Sequence, residues 1–171
     1  MDYVIGMGAN LAASGYDAPE DTLRAAAASI GEMFVVLKQA SLYKSPPYPP
    51  SGQPWYINSA CLLRSECSAR QLLIKLMEIE KKWGRNRTVK NAARTLDLDI
   101  LAALDSPEVV CEENASNPLY VPHPRLHLRS FVLFPMSEVV PDWHHPVLRK
   151  SIAQLCSELN EPIPAQRIDQ S

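Results

Sequence analysis

No stretch of this sequence stays apolar for the ~18–20 residues that a membrane-spanning helix needs. The opening MDYVIGMGAN has an acid at position 2 and too short an apolar run to be expected as a secretory leader. Cysteine is scarce. Cys61, Cys67, Cys111 and Cys156 form no C-x-x-C pair, and Cys61 lies within an apolar run; free thiols in a reducing cytosol are the expectation. Glycine is rarer than proline, 6 against 15, so stiff turns rather than flexible linkers join the elements. Charge of one sign is not in excess. A net charge of −2 supplies no broad basic field for a nucleic acid. A GxxxxGK[ST] loop is missing, and Leu11 stands where a dinucleotide fingerprint beginning at Gly6-Met7-Gly8 needs its third glycine. Any phosphate must then be held by side chains and metal.

What is present suits one globular domain, since 171 residues fall within the ~100–200 that a single core serves. We expect that domain over residues 1–160, with 161–171 as a polar, frayed tail. Tyr3 to Gly8 reads as a first strand. Residues 19–30 read as a helix, with Pro19 in its first turn, Leu23, Ala27 and Ile30 on one face, and Gly31 as its stop. Phe34 to Tyr43 is expected as one long strand, and Trp55 to Arg64 as another. On the second, Tyr56, Asn58 and Ala60 share one face. Ser68 to Trp83 is a helix with capping-box spacing to Gln71, a Leu72/Leu76/Ile79/Trp83 stripe, and Gly84 at its end. Thr95 to Leu101 alternates cleanly, with Leu96, Leu98 and Ile100 on one face and Asp97 and Asp99 on the other. Residues 102–120 suggest a hairpin or variable loop. The pattern of 126–140 does not separate helix from strand, and Pro146 to Leu159 reads as a final helix. This mixture, without strict βαβα alternation, predicts an α+β sandwich with helices on one face of a mostly antiparallel sheet.

Asp97-Leu98-Asp99 is the most informative pair. Two acids two apart on a strand send both carboxylates to one face, with Cβ atoms about 6–7 Å apart. Both can hold one Mg2+ or straddle two, and Mg2+ takes one or two carboxylates together with water and substrate phosphate oxygens. A solvated edge strand is the plain alternative. Arg85, Arg87 and Arg94 upstream and Arg129 downstream favour the metal, because guanidinium groups stay charged and match phosphate oxygens two at a time. An acid pair beside an arginine loop is what phosphoryl transfer requires. His123, held stiffly between Pro122 and Pro124, can donate to a phosphate or be an ordinary turn histidine. His144-His145 lacks partners at zinc-ligand spacing. Tyr56 and Asn58 offer a flat ring and an amide edge suited to a nitrogen heterocycle. Asparagine is disfavoured in strands; either a ligand or a satisfied buried amide accounts for it.

In chain order the sequence holds Gly8-Ala9-Asn10-Leu11, Tyr43-Lys44-Ser45-Pro46-Pro47, Tyr56-Ile57-Asn58, Ile79-Glu80, Gly84-Arg85-Asn86-Arg87, Arg94-Thr95-Leu96-Asp97-Leu98-Asp99-Ile100 and Val121-Pro122-His123-Pro124-Arg125, then Arg129, Phe131, Val132 and Leu133. This ordered set, over about residues 3–145, resembles the 6-hydroxymethyl-7,8-dihydropterin pyrophosphokinase family of folate synthesis. The resemblance implies a ferredoxin-like α+β sandwich and transfer of a pyrophosphoryl group from ATP to a pterin hydroxymethyl oxygen, releasing AMP. It implies two Mg2+ ions held by Asp97 and Asp99, and Arg85, Arg87 and Arg94 on the phosphates in a closed loop. Glu80, Arg87, Ile100, His123, Pro124 and Arg129 would line the ATP site. Ser45, Pro46, Tyr48, Tyr56, Asn58 and Phe131 would form the pterin pocket, the ring sandwiched between Tyr56 and Phe131. A cytoplasmic monomer is expected, without nucleic-acid or membrane partners. One departure stands out: where the family has Gly-Pro, often after an aromatic residue, this chain reads Asn91-Ala92-Ala93. A non-catalytic or altered-acceptor paralogue with a changed lid loop is the alternative that departure raises.

Overall fold

A computed structural model of the protein describes residues 1–85, 92–104, 110–112 and 119–168, with only the backbone of 110–112. Strand β1 (Asp2–Ala9) is central. It pairs antiparallel on one side with β4 (Tyr56–Arg64) and on the other with β5 (Asp97–Ala103). The outer edge of β4 is shared by β2 (Val35–Gln39) and β3 (Tyr43–Ser45), and β3 carries the short β8 (Gln166–Arg167). All these pairings are antiparallel. Strands β6 (Val110–Glu112) and β7 (Leu119–Val121) form a separate hairpin-like pair, as residues 102–120 suggested.

Period-two alternation sorts the side chains of the sheet into two cores. Tyr3, Ile5 and Met7 of β1, Ile57, Cys61 and Leu63 of β4, and Leu98 and Ile100 of β5 face helices α1 (Pro19–Met33) and α2 (Ala69–Lys82). The opposite face, with Val4, Ala60, Leu62, Leu101 and Ala102, packs on α3 (Ser130–Val139) and α4 (Ile152–Ser157). Leu72 and Leu76 of α2 are wholly buried, each worth about 1.5–3 kcal/mol against exposure. Helices therefore cover both faces rather than the single face expected. The 126–140 run is the reason: it is helical and buried nearly all round, at Ser130, Val132, Leu133, Pro135, Met136 and Val139, so it needs a sheet beneath it.

Other expectations shift at their ends. Gly31 does not stop α1, because only Gly15 and Gly84 among the described glycines take positive φ. The helix instead runs on until the Phe34 N–H closes onto the Ile30 carbonyl at 2.9 Å. The long strand over 34–43 is two strands. The register shifts between Val36 and Lys38. Beyond Gln39 the Ser41 N–H leaves the sheet for the Glu138 carboxylate at 2.7 Å. The final helix is six residues long, not fourteen. His145 Nδ1 accepts the Val147 and Leu148 N–H groups at 3.2 and 3.3 Å, which fixes a turn, and the Ser151–Gln154 capping box starts the helix only at Ile152. The tail expected to fray is docked through residue 168: Ala165 is buried, and the Ile168 N–H bonds the Leu42 carbonyl at 2.8 Å. By contrast, the Ser68–Gln71 capping box forms as expected, and Gly84, at φ +80°, ends α2. Cys61, Cys67 and Cys156 are free thiols. Among the described residues no helix is long and apolar enough to cross a membrane.

Candidate active site

The floor of the site is a strip of β1 without side chains. Gly6 and Gly8 point to the α3 face, where the register sets Gly8 between Asn58 of β4 and Asp97 of β5, and Gly6 between Ala60 and Asp99. Alternation from Asp97 and Asp99 puts Leu101 on this face too, and a β-bulge between Val4 and Ile5 leaves it unpaired and brings Ala102 to the same side. A Cβ on Gly6 would meet the Leu101 side chain at 3.1–3.2 Å, so glycine is what allows the approach. The open cleft above, about 310 Å3, is lined by Ser45, Pro46, Tyr48, Tyr56 and Asn58 on one side. Arg85, Arg94, Asp97 and Asp99 line the other, with His123, Arg125, Arg129, Phe131 and Val132 at its remaining margin.

Asp97 carries most of the local charge pairing. Its Oδ2 takes Arg94 Nη1 at 2.6 Å, and its Oδ1 takes the Arg85 guanidinium. Behind them Glu80 is 1% exposed; it accepts the Leu98 N–H at 2.8 Å and pairs with Arg85. Burial opposes the Arg94 charge, but Asp97 and its neighbours hold the guanidinium above its ordinary value. Asp99 has no such partner among the described residues. Crowding by protein, then the negative charges of Asp97 and Glu80, push its carboxyl up to about 7. The carboxylate surface itself is open to cleft water. Two hard oxygen donors on one face, one of them short of positive charge, fit a divalent cation such as Mg2+.

His123 is fixed by its backbone. Its N–H bonds the Leu101 carbonyl at 2.9 Å, and its Nδ1 accepts the Arg125 N–H at 3.2 Å. The hydrogen therefore sits on Nε2, free to be donated. Burial, followed by the Arg129 and Arg125 charges, lowers its pKa to about 4, so the ring is neutral near pH 7. Arg129 stands at the entrance to α3 with its guanidinium 5.5 Å from the Phe131 ring centre. Asn58 Nδ2 donates to Ser45 Oγ at 2.9 Å, which leaves its carbonyl edge beside Gly8.

The cleft thus gathers Arg85, Arg94, Asp97, Asp99, His123, Arg129, Ser45, Pro46, Tyr48, Tyr56, Asn58 and Phe131. Arg87 and Asn91 lie outside the described residues. Glu80 sits behind the wall as a brace. The Ile100 side chain is in the opposite core, so any contact with an adenine falls to its backbone. Pro124 is exposed and does not line the cleft. Ala92 accepts a hydrogen bond from Arg94 Nε at 3.2 Å. The sequence reading missed Arg125 and the two floor glycines. The period-two spacing of Gly6 and Gly8 on a strand was their available signal.

One end of this cleft suits a polyphosphate and the other a flat, hydrogen-bonding heterocycle, on a ferredoxin-like α+β sandwich: the makings of a nucleotide-dependent transferase. The chain belongs to the 7,8-dihydro-6-hydroxymethylpterin-pyrophosphokinase (HPPK) family, whose model matches residues 4–141. It is 35% identical over 159 residues to the 2-amino-4-hydroxy-6-hydroxymethyldihydropteridine pyrophosphokinase of Synechocystis, covering 92% of this chain and 75% of the relative. The Haemophilus influenzae protein of the same name is 36% identical over 140 residues, 81% of each chain. In structure it resembles Plasmodium falciparum HPPK-DHPS, with a TM-score of 0.73 and 12% identity over 92% of this chain. The chain spans 40% of that longer protein, and the likeness speaks for the fold alone.

Proposed function

We propose that this chain is an ATP-dependent diphosphotransferase that makes 6-hydroxymethyl-7,8-dihydropterin diphosphate and AMP for folate synthesis. One observation carries the reading: strand register brings the acid pair of β5 and the Tyr56–Asn58 face of β4 to opposite sides of one glycine floor. The pterin hydroxymethyl oxygen forms the new bond to the β-phosphorus, and the bond between that phosphorus and the α,β-bridging oxygen breaks, so AMP leaves.

The chain's own groups position and stabilise. Tyr56 and Phe131 would stack the pterin, while Asn58, braced by Ser45, would meet its amide edge. Pro46 and Tyr48 would close that pocket. Arg129 and the Nε2–H of His123 would hold phosphate oxygens. Arg85 and Arg94 would exchange Asp97 for the transferring phosphates, with Arg87 joining them. The Ile100 backbone, and Pro124 from outside the cleft lining, would bound the adenine end. Asp97 and Asp99 would hold two Mg2+ ions, whose charge there would offset that of the triphosphate. Fixed donors and alignment supply the rate. We further propose that the chain acts as a monomer in the cytoplasm. The test is AMP release from ATP with Mg2+ and 6-hydroxymethyl-7,8-dihydropterin. No pterin-dependent AMP, or full turnover in Asp97→Ala, would overturn the proposal.

A further inference from the structure

Residues 142–168 lie beyond the 4–141 span matched by the family model, yet they bond Ser130, the residue between two that line the cleft. Ser130, the first residue of α3, lies between Arg129 and Phe131. Its N–H donates to Glu161 Oε1 at 3.2 Å and its hydroxyl to Glu161 Oε2, and the same hydroxyl accepts the Ala165 N–H at 2.7 Å. The N-cap residue of α3, Arg129, gives that helix no side-chain cap. A carboxylate 31 positions along the chain does so instead, at the positive end of the helix. Two residues past Ala165, Arg167 pairs with Tyr43 in β3, the strand that ends in Ser45.

We infer that Glu161 is a positioning residue: through Ser130 it fixes the start of α3 so that Arg129 and Phe131, on either side of it, meet nucleotide and pterin in one geometry. The chain's C-terminal segment is therefore a strap joining both ends of the cleft. Loss of the carboxylate takes the partner from the Ser130 N–H and hydroxyl and loosens the entry to α3, where the Val132 and Leu133 N–H groups bond only the Arg129 carbonyl. This costs binding of both substrates, because the two cleft residues move together. The chemical step is spared, because Asp97 and Asp99 sit on β5, away from the strap.

The inference rests on the proposed reaction for its kinetic readout, and direct binding keeps the two separable. In full-length Glu161→Ala, KM for MgATP and for the pterin alcohol should each rise about five- to tenfold, with kcat within twofold. Calorimetric affinity for MgATP should fall by a similar factor, a measurement that needs no turnover. Glu161→Gln, whose amide oxygen still accepts, should return to within twofold of the parent. Ser130→Ala should match Glu161→Ala, and the double variant should be no worse than either single one, as residues acting through one contact require. If Glu161→Ala does not fold, Ser130→Ala and Glu161→Gln carry the test. A lowered melting temperature with both KM values and MgATP affinity unchanged would reduce Glu161 to a structural tie and overturn the inference. So would strictly additive effects. A parent chain that binds MgATP but releases no AMP would refute the proposed reaction and leave this inference to the calorimetry.

Discussion

Asn in place of Asp99 should make this protein more stable and inactive. Among the described residues Arg85 and Arg94 both spend their charge on Asp97, and Asp99 faces Asp97 and Glu80 without a cation of its own. Crowding and those charges raise its carboxyl from 3.8 to about 7. At about 1.36 kcal/mol per pH unit, that would amount to about 4 kcal/mol against the folded state once the group is ionised. The carboxylate is open to water, and screening brings this to about 1 kcal/mol. An acid raised in the folded state binds more protons there than when unfolded, so its penalty grows as pH climbs from about 4 to 7 and is complete above that. The measurement therefore belongs at pH 8, in EDTA. In a chain of this size about 1 kcal/mol moves Tm by about 2–4 °C, and Asp99→Asn should melt higher by that amount. Added Mg2+ should raise the Tm of the parent and not of the variant, while AMP release falls at least about 100-fold. A variant that melts lower than its parent in EDTA would show that Asp99 is not carrying uncompensated charge, and the argument for a cation at this position would go with it.

Three further outcomes test other parts of the molecule. Gly8→Val should fold, since the position has no positive φ and a Cβ meets only the Asn58 amide oxygen at 3.4 Å and the Asp97 Cβ at 3.9 Å, but its branched methyls would fill the cleft floor; pterin affinity should drop at least tenfold by calorimetry, and unchanged affinity would move the pocket elsewhere. Glu138 is pushed up by burial but pulled further down by the Tyr43 hydroxyl, the Ser41 N–H and Arg167. It therefore contributes stability above its unfolded value of about 4.3 and loses it as pH falls through its lowered one. Glu138→Gln should cost about 1–2 kcal/mol at pH 7 and markedly less at pH 3 by urea unfolding; equal costs at both would contradict that linkage. Burial pushes the Cys61 thiol up to about 12, so alkylation of the native protein followed by mass spectrometry should leave Cys61 unmodified until the chain is unfolded.

How much could be read from the chain depended on whether the signal was local. The Ser68–Gln71 box and the Leu72/Leu76/Ile79 stripe declare α2 within one segment, and the alternation around Asp97 and Asp99 declares β5. The ends that failed were decided by single side-chain contacts, near or distant, that no periodic pattern declares. His145 holds residues 147 and 148 in a turn and shortens the last helix. Glu138, 97 positions from Ser41, takes the N–H that a continuous strand would have kept. Strand β8 is two exposed residues in a polar segment, with nothing local to announce it. Glu80 shows the same limit at the site. The resemblance places it along the ATP site; that the fold also buries it to brace Arg85 and the Leu98 N–H has no local signal. Gly6 and Gly8 are legible in principle, but their spacing reads first as a failed dinucleotide fingerprint and only in the fold as a strand that must stay bare.

That bare strand also explains why the site depends on register more than on loops. Moving β5 one residue along β1 would send Asp97 and Asp99 into the α1–α2 core and bring Leu98 and Ile100 to the cleft, because side chains alternate with period two. Moving β4 by one would exchange Asn58 for Ser59 in the same way. Three features oppose such slips: the fully buried Tyr3, Ile5 and Leu98 side chains, the fit of Leu101, unpaired at the bulge, against Gly6, and the Leu98 N–H held by Glu80. A heterocycle and a polyphosphate that must meet within one bond length are best served by walls whose spacing is set by a hydrogen-bonded ladder. The arginines, on less regular backbone, are then left to do what a ladder cannot, which is to change partners from carboxylate to phosphate.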